Sequence, residues 1–444
     1  MAELFGTDGI RGVAGRYPMT AEMALKIGKA VAHSFSRPGH TPRIAIGRDT
    51  RLSGPMLESA FAAGACSMGA TVLKLGVMPT PGVALLTRSL RADAGIVISA
   101  SHNPYQDNGI KIFSGEGFKL PDEREAAIEA HILADDLASE PDRIGHILKI
   151  DNARGRYIDF LKDSLAGSLE GLKLVLDCSN GATFKVAPAT FAELGATVVT
   201  LCAEPDGCNI NAGCGSQHPE KLAAAVVAEG AKLGLAFDGD GDRVIAVDET
   251  GRVLTGDQIL VICAAALKRQ GKLVNDTVVG TVMSNLGFGL ALKDLGIKML
   301  TANVGDRYVL EQMQASGAIL GGEDSGHIIM LEHHTTGDGI LAGLQLIAAM
   351  LAEGKPLSEL AARMQVFPQI LENIEVKSKP DLATLPAVAA VISAVESELG
   401  ERGRVLVRYS GTQSMCRVMV EGPTEAVTRE ACARISAVVR RELA

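Results

Sequence analysis

Three observations predict an α/β protein of three similar units followed by a smaller C-terminal α+β domain. Short β-branched runs alternate with Ala/Leu-rich stretches of helical length, the pattern of α/β domains with largely parallel strands. In each of the first three units an apolar strand runs directly into a polar loop, and after Pro368 the pattern changes to extended runs framing two helices. In order, the first unit reads as a strand over 43–49, a helix over 55–69, a strand over 71–75 and a buried strand over 94–99. The second begins near 152, with strands over 172–177, 197–201 and 232–237 and a helix over 188–194. The third, from about 252, has strands over 277–281, 298–302 and 318–321 and a helix over 287–295. The last part carries extended runs over 370–376, 404–408 and 416–420 and helices over 385–399 and 424–443. The domains expected are therefore 1–150, 151–251, 252–366 and 367–444.

Composition narrows the classes of function. With 43 basic against 52 acidic side chains the net charge is −9, which argues against a general nucleic-acid binder, whose footprint is a basic face. No run of about 18 apolar residues predicts a spanning helix, and the stretch from Met1 to Asp8 does not read as a secretory signal. The cytoplasm is the expected location. The 8 cysteines form no C-x-x-C pair and are expected to be reduced. Cys202, Cys208 and Cys214 recur every six residues; a zinc cluster would favour closer ligand pairs, so the preferred reading is small apolar fillers in a Gly-rich loop. His333 and His334, in a polar stretch, read as ordinary surface residues.

Ligands in open α/β sheets bind at the carboxyl ends of strands, so the polar loops are where chemistry is expected. Asp238-Gly239-Asp240-Gly241-Asp242-Arg243 places three carboxylates at alternate positions, with glycines that let the backbone curl. Such a set suits a hard cation, Mg²⁺ or Ca²⁺. An EF-hand is excluded because its sixth position, which requires glycine, is Arg243, and the flanks read as strands. Ser99-Ala100-Ser101-His102-Asn103-Pro104 follows a buried strand and is not the G-x-S-x-G elbow of an α/β-hydrolase. A capped turn before Pro104 is the alternative for this motif alone. A serine beside a divalent-ion loop is the apparatus of phosphoryl transfer. The third loop is Gly322-Glu323-Asp324-Ser325-Gly326-His327, and a fourth, Arg408-Tyr409-Ser410-Gly411-Thr412-Gln413, lies between two extended runs.

These motifs, together with Phe5-Gly6-Thr7-Asp8-Gly9-Ile10-Arg11-Gly12, occur in the order of the α-D-phosphohexomutase superfamily, which the chain resembles over nearly its whole length. The segments Cys214-Gly215-Ser216-Gln217-His218-Pro219-Glu220 and Val304-Gly305-Asp306-Arg307-Tyr308 are similar to its amino-sugar branch. The resemblance implies a four-domain, heart-shaped fold and interconversion of glucosamine 6-phosphate and glucosamine 1-phosphate. A relative of the same fold acting on mannose or glucose phosphates, and a noncatalytic sugar-phosphate-binding regulator, are the alternatives. It further implies that Ser101 is a phosphoserine, that Asp238, Asp240 and Asp242 bind one Mg²⁺ together with the Ser101 phosphate, and that a hexosamine or hexose 1,6-bisphosphate primes the enzyme. Arg408, Ser410, Gly411, Thr412 and Arg417 fit a phosphate anchor. Gln413 departs from the Glu often found in the family, and its contact is left open. Glu323, Ser325 and His327 would face the sugar hydroxyls. Lys111 is the expected general acid or base, its pKa lowered by neighbouring cations and exclusion of water. Arg11, Arg48 and Arg243 are read as permanent positive charge. The sequence leaves association into a homodimer open.

Overall fold

The computed structural model describes residues 4–6, 8–139, 142–410 and 414–444. Its strands form four sheets. The first contains β1 (Ile10–Val13), β2 (Arg43–Arg48), β3 (Thr71–Val77), β4 (Ala94–Ile98), β5 (Asp107–Ser114) and β6 (Ile147–Lys149), in the order β1-β5-β4-β2-β3-β6. The second contains β7 (Lys173–Asp177), β8 (Thr197–Leu201), β9 (Leu233–Phe237), β10 (Val244–Asp248) and β11 (Val253–Leu254), in the order β11-β10-β9-β7-β8. The third contains β12 (Thr277–Thr281), β13 (Lys298–Ala302), β14 (Leu320–Gly322) and β15 (Ile328–Met330), in the order β13-β12-β14-β15. The fourth contains β16 (Gln369–Glu375), β17 (Arg404–Tyr409) and β18 (Met415–Glu421), in the order β16-β18-β17.

One topological device recurs in the first three sheets. The central strands are parallel, as expected, but the strand leading into each polar loop is followed by an antiparallel partner. β4 turns back into β5, β9 into β10 and β14 into β15. Each loop is thus the tip of a hairpin at the carboxyl end of a parallel strand. A β4–β5 pair was not expected from the sequence, because 107–114 mixes Asp, Asn, Gly and Lys with its apolar residues. Its apolar positions are nevertheless buried, Ile110, Ile112 and Phe113 all at 2% exposure or less.

The core explains why these elements hold. Helix Ala21–Ser34 begins at Thr20, whose side chain accepts from the Met23 N–H, and buries Met23, Ile27 and Val31 on one face. It packs against helix Gly54–Ser67 at very short range. A Cβ at Gly28 would lie 2.2 Å from the Phe61 carbonyl oxygen, and one at Gly64 2.0 Å from that of Leu25. Burying Phe61, Ile27 and Leu57 completely contributes roughly 1.5–3 kcal/mol each.

The chain packs into two compact units, Met1–Val282 with Lys298–Ala362, and Met283–Ile297 with Arg363–Ala444. In the second, helices Pro386–Leu399 and Glu425–Leu443 cover the antiparallel fourth sheet around Val388, Val395, Cys416, Val418 and Ile435. Helix Leu286–Asp294, which follows β12 in sequence, packs in this unit. Asn285 ties it down by donating to the Phe367 carbonyl at 2.9 Å and accepting from the Phe367 N–H at 3.0 Å. Among the described residues no helix is long and apolar enough to cross a membrane.

Candidate active site

In the first unit, three hairpin tips converge. Ser101 is 1% exposed and its backbone has φ 51°, a left-handed conformation rare for a side-chain-bearing residue. That conformation is over-determined. The fully buried Arg51 guanidinium donates to the Ser101 carbonyl at 2.9 Å, Asn103 at 2.8 Å and Asp107 at 3.0 Å, and also to Pro104. Asp49 holds Arg51 in turn, accepting from its Nε at 2.8 Å, and accepts from Ser99 Oγ at 2.5 Å, while the Ser101 N–H donates to Ser99 Oγ at 3.0 Å. Asn211, from the second sheet's loops, donates to the Ser101 carbonyl at 2.9 Å.

The acidic loop sits directly against this turn. Ser101 Oγ donates to Asp238 Oδ2 at 2.6 Å. A Cβ at Gly239 would lie 2.5 Å from the Ser101 carbonyl oxygen, so only glycine permits this approach. Asp238, Asp240 and Asp242 are all buried, and one ligand oxygen from each lies within 4.8 Å of the others. Burial and the charges of Asp242 and Asp240 push Asp238 well above the usual carboxylate range. Asp240 Oδ1 and Asp242 Oδ1 are buried without a hydrogen-bond partner among the described residues. Repelling carboxylates gathered this closely, two of them with an orphaned buried oxygen, are what a hard cation would satisfy, so the cluster fits a metal site.

Cations and histidines surround the acids. Lys111 Nζ, on β5, lies 3.0 Å from Asp240 Oδ2, 3.0 Å from Asp8 Oδ2 and 3.5 Å from Asp242 Oδ2. Burial pulls its pKa down, but Asp240, Asp8 and Asp242 outweigh burial and hold it well above the usual lysine range. The lowered pKa expected from neighbouring cations is therefore not what this environment provides, because the nearest charges are carboxylates. Arg11 pairs with Asp8. Arg243 donates to His102 Nδ1 at 3.1 Å, and Ser101 Oγ lies 3.4 Å from the same nitrogen. Burial, then Arg243 and Arg11, bring His102 down to about 4, so the ring is neutral. Arg48 is taken up elsewhere, 3.6 Å from Glu58.

The third loop joins through backbone pairing of Arg243 with His327. His327 is 2% exposed, with Nδ1 3.7 Å from Asp242 and Nε2 3.9 Å from Asp306. It faces carboxylates rather than open space, in contrast to the expected contact with sugar hydroxyls. Glu323 and Ser325 are the accessible members, and Glu323 accepts from the Gly305 N–H at 2.9 Å.

Models of the four phosphoglucomutase/phosphomannomutase domains match in order: alpha/beta/alpha domain I over 2–139, domain II over 155–251, domain III over 255–367 and the C-terminal domain over 371–438. The chain belongs to the phosphoglucomutase/phosphomannomutase family. Relatives named phosphoglucosamine mutase include one from Syntrophus aciditrophicus, 62% identical over 100% of both chains, and one from Syntrophobacter fumaroxidans, 60% identical over 99% of both. A phosphoglucomutase/phosphomannomutase family protein from Burkholderia thailandensis shares the fold at TM-score 0.81 and 24% identity, over 99% of this chain and 98% of that one. An Aspergillus fumigatus N-acetylphosphoglucosamine mutase, solved with GlcNAc-6P and magnesium, shares it at TM-score 0.67 and 17% identity, over 99% and 96%.

In this family member the second compact unit carries the remaining expected residues. Arg408 on β17 and Arg417 on β18 are direct cross-strand partners. Like charges so placed destabilise a sheet unless an anion joins them, and Arg417 Nε is buried without a hydrogen-bond partner among the described residues. Ser410 is buried at the end of β17; Gly411, Thr412 and Gln413 lie outside the described residues. Sequence reasoning missed Arg51, Asp49, Asn211, Asp8 and Asp306. Asp8 lay within a quoted motif and Asp49-Thr50-Arg51 directly follows β2, a strand end like the other loops, which was the available signal. His334 was misread: it is 1% exposed, with Nε2 3.0 Å from the Pro81 carbonyl and Nδ1 accepting from the Thr335 N–H at 2.8 Å.

Proposed function

We propose that this chain has phosphoglucosamine mutase activity, an isomerase reaction interconverting glucosamine 6-phosphate and glucosamine 1-phosphate through a phosphoserine on Ser101 and a 1,6-bisphosphate intermediate. The observation that carries the reading is the left-handed, buried Ser101 held against the Asp238–Asp240–Asp242 cluster. The amino-sugar substrate rests on the full-length relatives of that name. The sugar phosphate is the partner in this reading, supported by the names of the full-length relatives; the acidic net charge disfavours nucleic acid, and the cytoplasm is its place of action. The domain limits 1–150, 151–251, 252–366 and 367–444 belong to the same reading.

Phosphoryl transfer depends on positioning and charge neutralisation. The free sugar hydroxyl forms a bond to phosphorus as the bond to Ser101 Oγ breaks, and the hydroxyl proton is balanced by the one Ser101 Oγ takes up. The reverse transfer from the opposite end of the bisphosphate restores the phosphoserine. Asp238, Asp240 and Asp242, with the Ser101 phosphate, hold Mg²⁺, which supplies neutralisation of phosphoryl charge when bound. Lys111 enters this cycle protonated and suits the acid side of the proton balance. Arg243 and Arg11 supply permanent positive charge, and neutral His102, fixed by Arg243, orients the turn. Glu323 and Ser325 meet sugar hydroxyls. Arg408, Ser410 and Arg417 supply a phosphate-binding group in the second compact unit, supported by the facing arginines, which lack an anion of their own among the described groups.

A coupled assay comparing glucosamine 6-phosphate with mannose and glucose phosphates, primed with glucose 1,6-bisphosphate, tests the substrate. A ten-fold or greater preference for mannose or glucose phosphate would reject it. Intact mass before and after phosphatase treatment tests the phosphoserine.

A further inference from the structure

The regular spacing of Cys202, Cys208 and Cys214 does not survive folding as one cluster. Cys208 is exposed. Cys202 and Cys214, however, meet at the carboxyl edge of the second sheet beside Asp177, the last residue of β7. One ligand atom from each of the three lies within 4.8 Å of the others. Two sulfurs gathered this close to a buried carboxylate are a ligand set rather than the scattered placement of apolar fillers.

Two further features mark a built site. The Asp177 side chain is fully buried and oriented by backbone donors on both oxygens, Ser179 N–H to Oδ1 at 2.9 Å and Gly215 N–H to Oδ2 at 2.9 Å. Outer hydrogen bonds of this kind fix the direction of a metal-binding carboxylate. The backbone around it is held in uncommon conformations, with φ 49° at Cys202, 51° at Ser179 and 49° at Asn180, and Asn180 N–H donating to the Cys202 carbonyl at 2.5 Å. Such left-handed residues gather where the surroundings over-determine a functional geometry. Cys202 is only partly covered, which leaves a way in for an ion, while Cys214 and Asp177 form the closed side.

We propose that Asp177, Cys202 and Cys214 form a second metal site, distinct from the Asp238–Asp242 cluster, that takes a thiophilic divalent cation of the Zn²⁺ type with solvent at the fourth position. Two sulfurs and one carboxylate select Zn²⁺ over Mg²⁺, because soft ligands favour borderline metals and Mg²⁺ demands oxygen. The site also has a structural reach. The segment that follows Asp177 supports the acidic loop, with the Ala182 N–H donating to the Gly239 carbonyl at 2.8 Å. A cation here would brace the strand end from which that support departs.

Cd²⁺ titration of the full chain, kept reduced with a phosphine, tests the site through the thiolate-to-metal charge-transfer absorption, which the all-oxygen Asp238 cluster cannot produce. One equivalent should saturate the band in the wild type and in Cys208→Ser. Cys202→Ser and Cys214→Ser should weaken binding at least roughly ten-fold. Because a variant of the buried Cys214 can fail to fold, alkylation of the wild type provides a second measurement: Cd²⁺ should protect the partly covered Cys202, but not the exposed Cys208, from iodoacetamide. No band in the wild type, a band that persists in Cys202→Ser, or protection confined to Cys208 would overturn the proposal.

Discussion

The loops after β4 and after β14 occupy the same place in their sheets, each the tip of a hairpin between a parallel strand and its antiparallel return. Each presents a serine, and there the likeness ends. Ser101 is buried, left-handed and held through its carbonyl and N–H by Arg51, Asn211 and Ser99, whereas Ser325 is exposed. The difference teaches that topology sets where a loop can present a group, while burial and backbone anchoring set what the group is fit for. An immobilised serine suits a reacting atom, whose placement must be exact to within a fraction of an ångström; an open one suits recognition of a ligand that arrives and leaves.

The comparison can be broken most decisively at its rigid end. Ser101→Ala should lower turnover at least about a thousand-fold in the coupled mutase assay, as loss of a covalent nucleophile does; retained turnover would remove Ser101 from the reaction. Arg51→Met should destabilise the chain by about 3–5 kcal/mol in chemical denaturation, because it strands the fully buried Asp49 carboxylate and leaves the carbonyls of the Ser101 turn unpaired. A loss below about 1 kcal/mol would show that the turn does not depend on this pair.

The open loop makes a prediction through its anchoring. Its return strand β15 leads to His334, whose neutral tautomer is fixed by the Thr335 N–H on one nitrogen and the Pro81 carbonyl at the other. Burial lowers this imidazole to about 4 from an ordinary 6.5. Between those values the unfolded state binds more protons, so stability is full above about pH 6.5 and falls as pH drops toward 4. Relative to His334→Gln, the wild type should lose about 3 kcal/mol over that window, measured by denaturation at stepped pH. Equal pH dependence of the two proteins would contradict the buried neutral ring. The smallest effect belongs to Ser325→Ala: loss of one exposed hydrogen-bonding hydroxyl, about 0.5–1.5 kcal/mol, should raise KM two- to ten-fold or so with kcat unchanged. A fall in kcat instead would mean that this loop, like its counterpart, acts in the transition state.

Much of this molecule was legible because its chemistry lies in short contiguous runs. Asp238, Asp240 and Asp242 stand at alternate positions on one turn, and Ser101 directly follows an apolar strand, so local chain geometry brings each group to a sheet edge. Strands 197–201, 277–281 and 298–302 were read at their observed limits because apolar, β-branched runs with clear boundaries leave little competition from helix. What escaped depended on partners far along the chain. Arg51 gains its role from carbonyls 50 to 56 residues away. His334, flanked by polar residues, is buried by contact with Pro81, 253 positions earlier.

The cysteines divide the two kinds of information most clearly. Sequence by itself determined the α/β units, the order of the polar loops and the acidic triad, because period and composition act within a few residues. Only the tertiary structure decided that Cys208 faces solvent while Cys202 and Cys214 meet Asp177, that Lys111 sits among carboxylates rather than cations, and that His327 turns inward. Charge and burial are properties of neighbours in space, and those neighbours are chosen when the sheets pack.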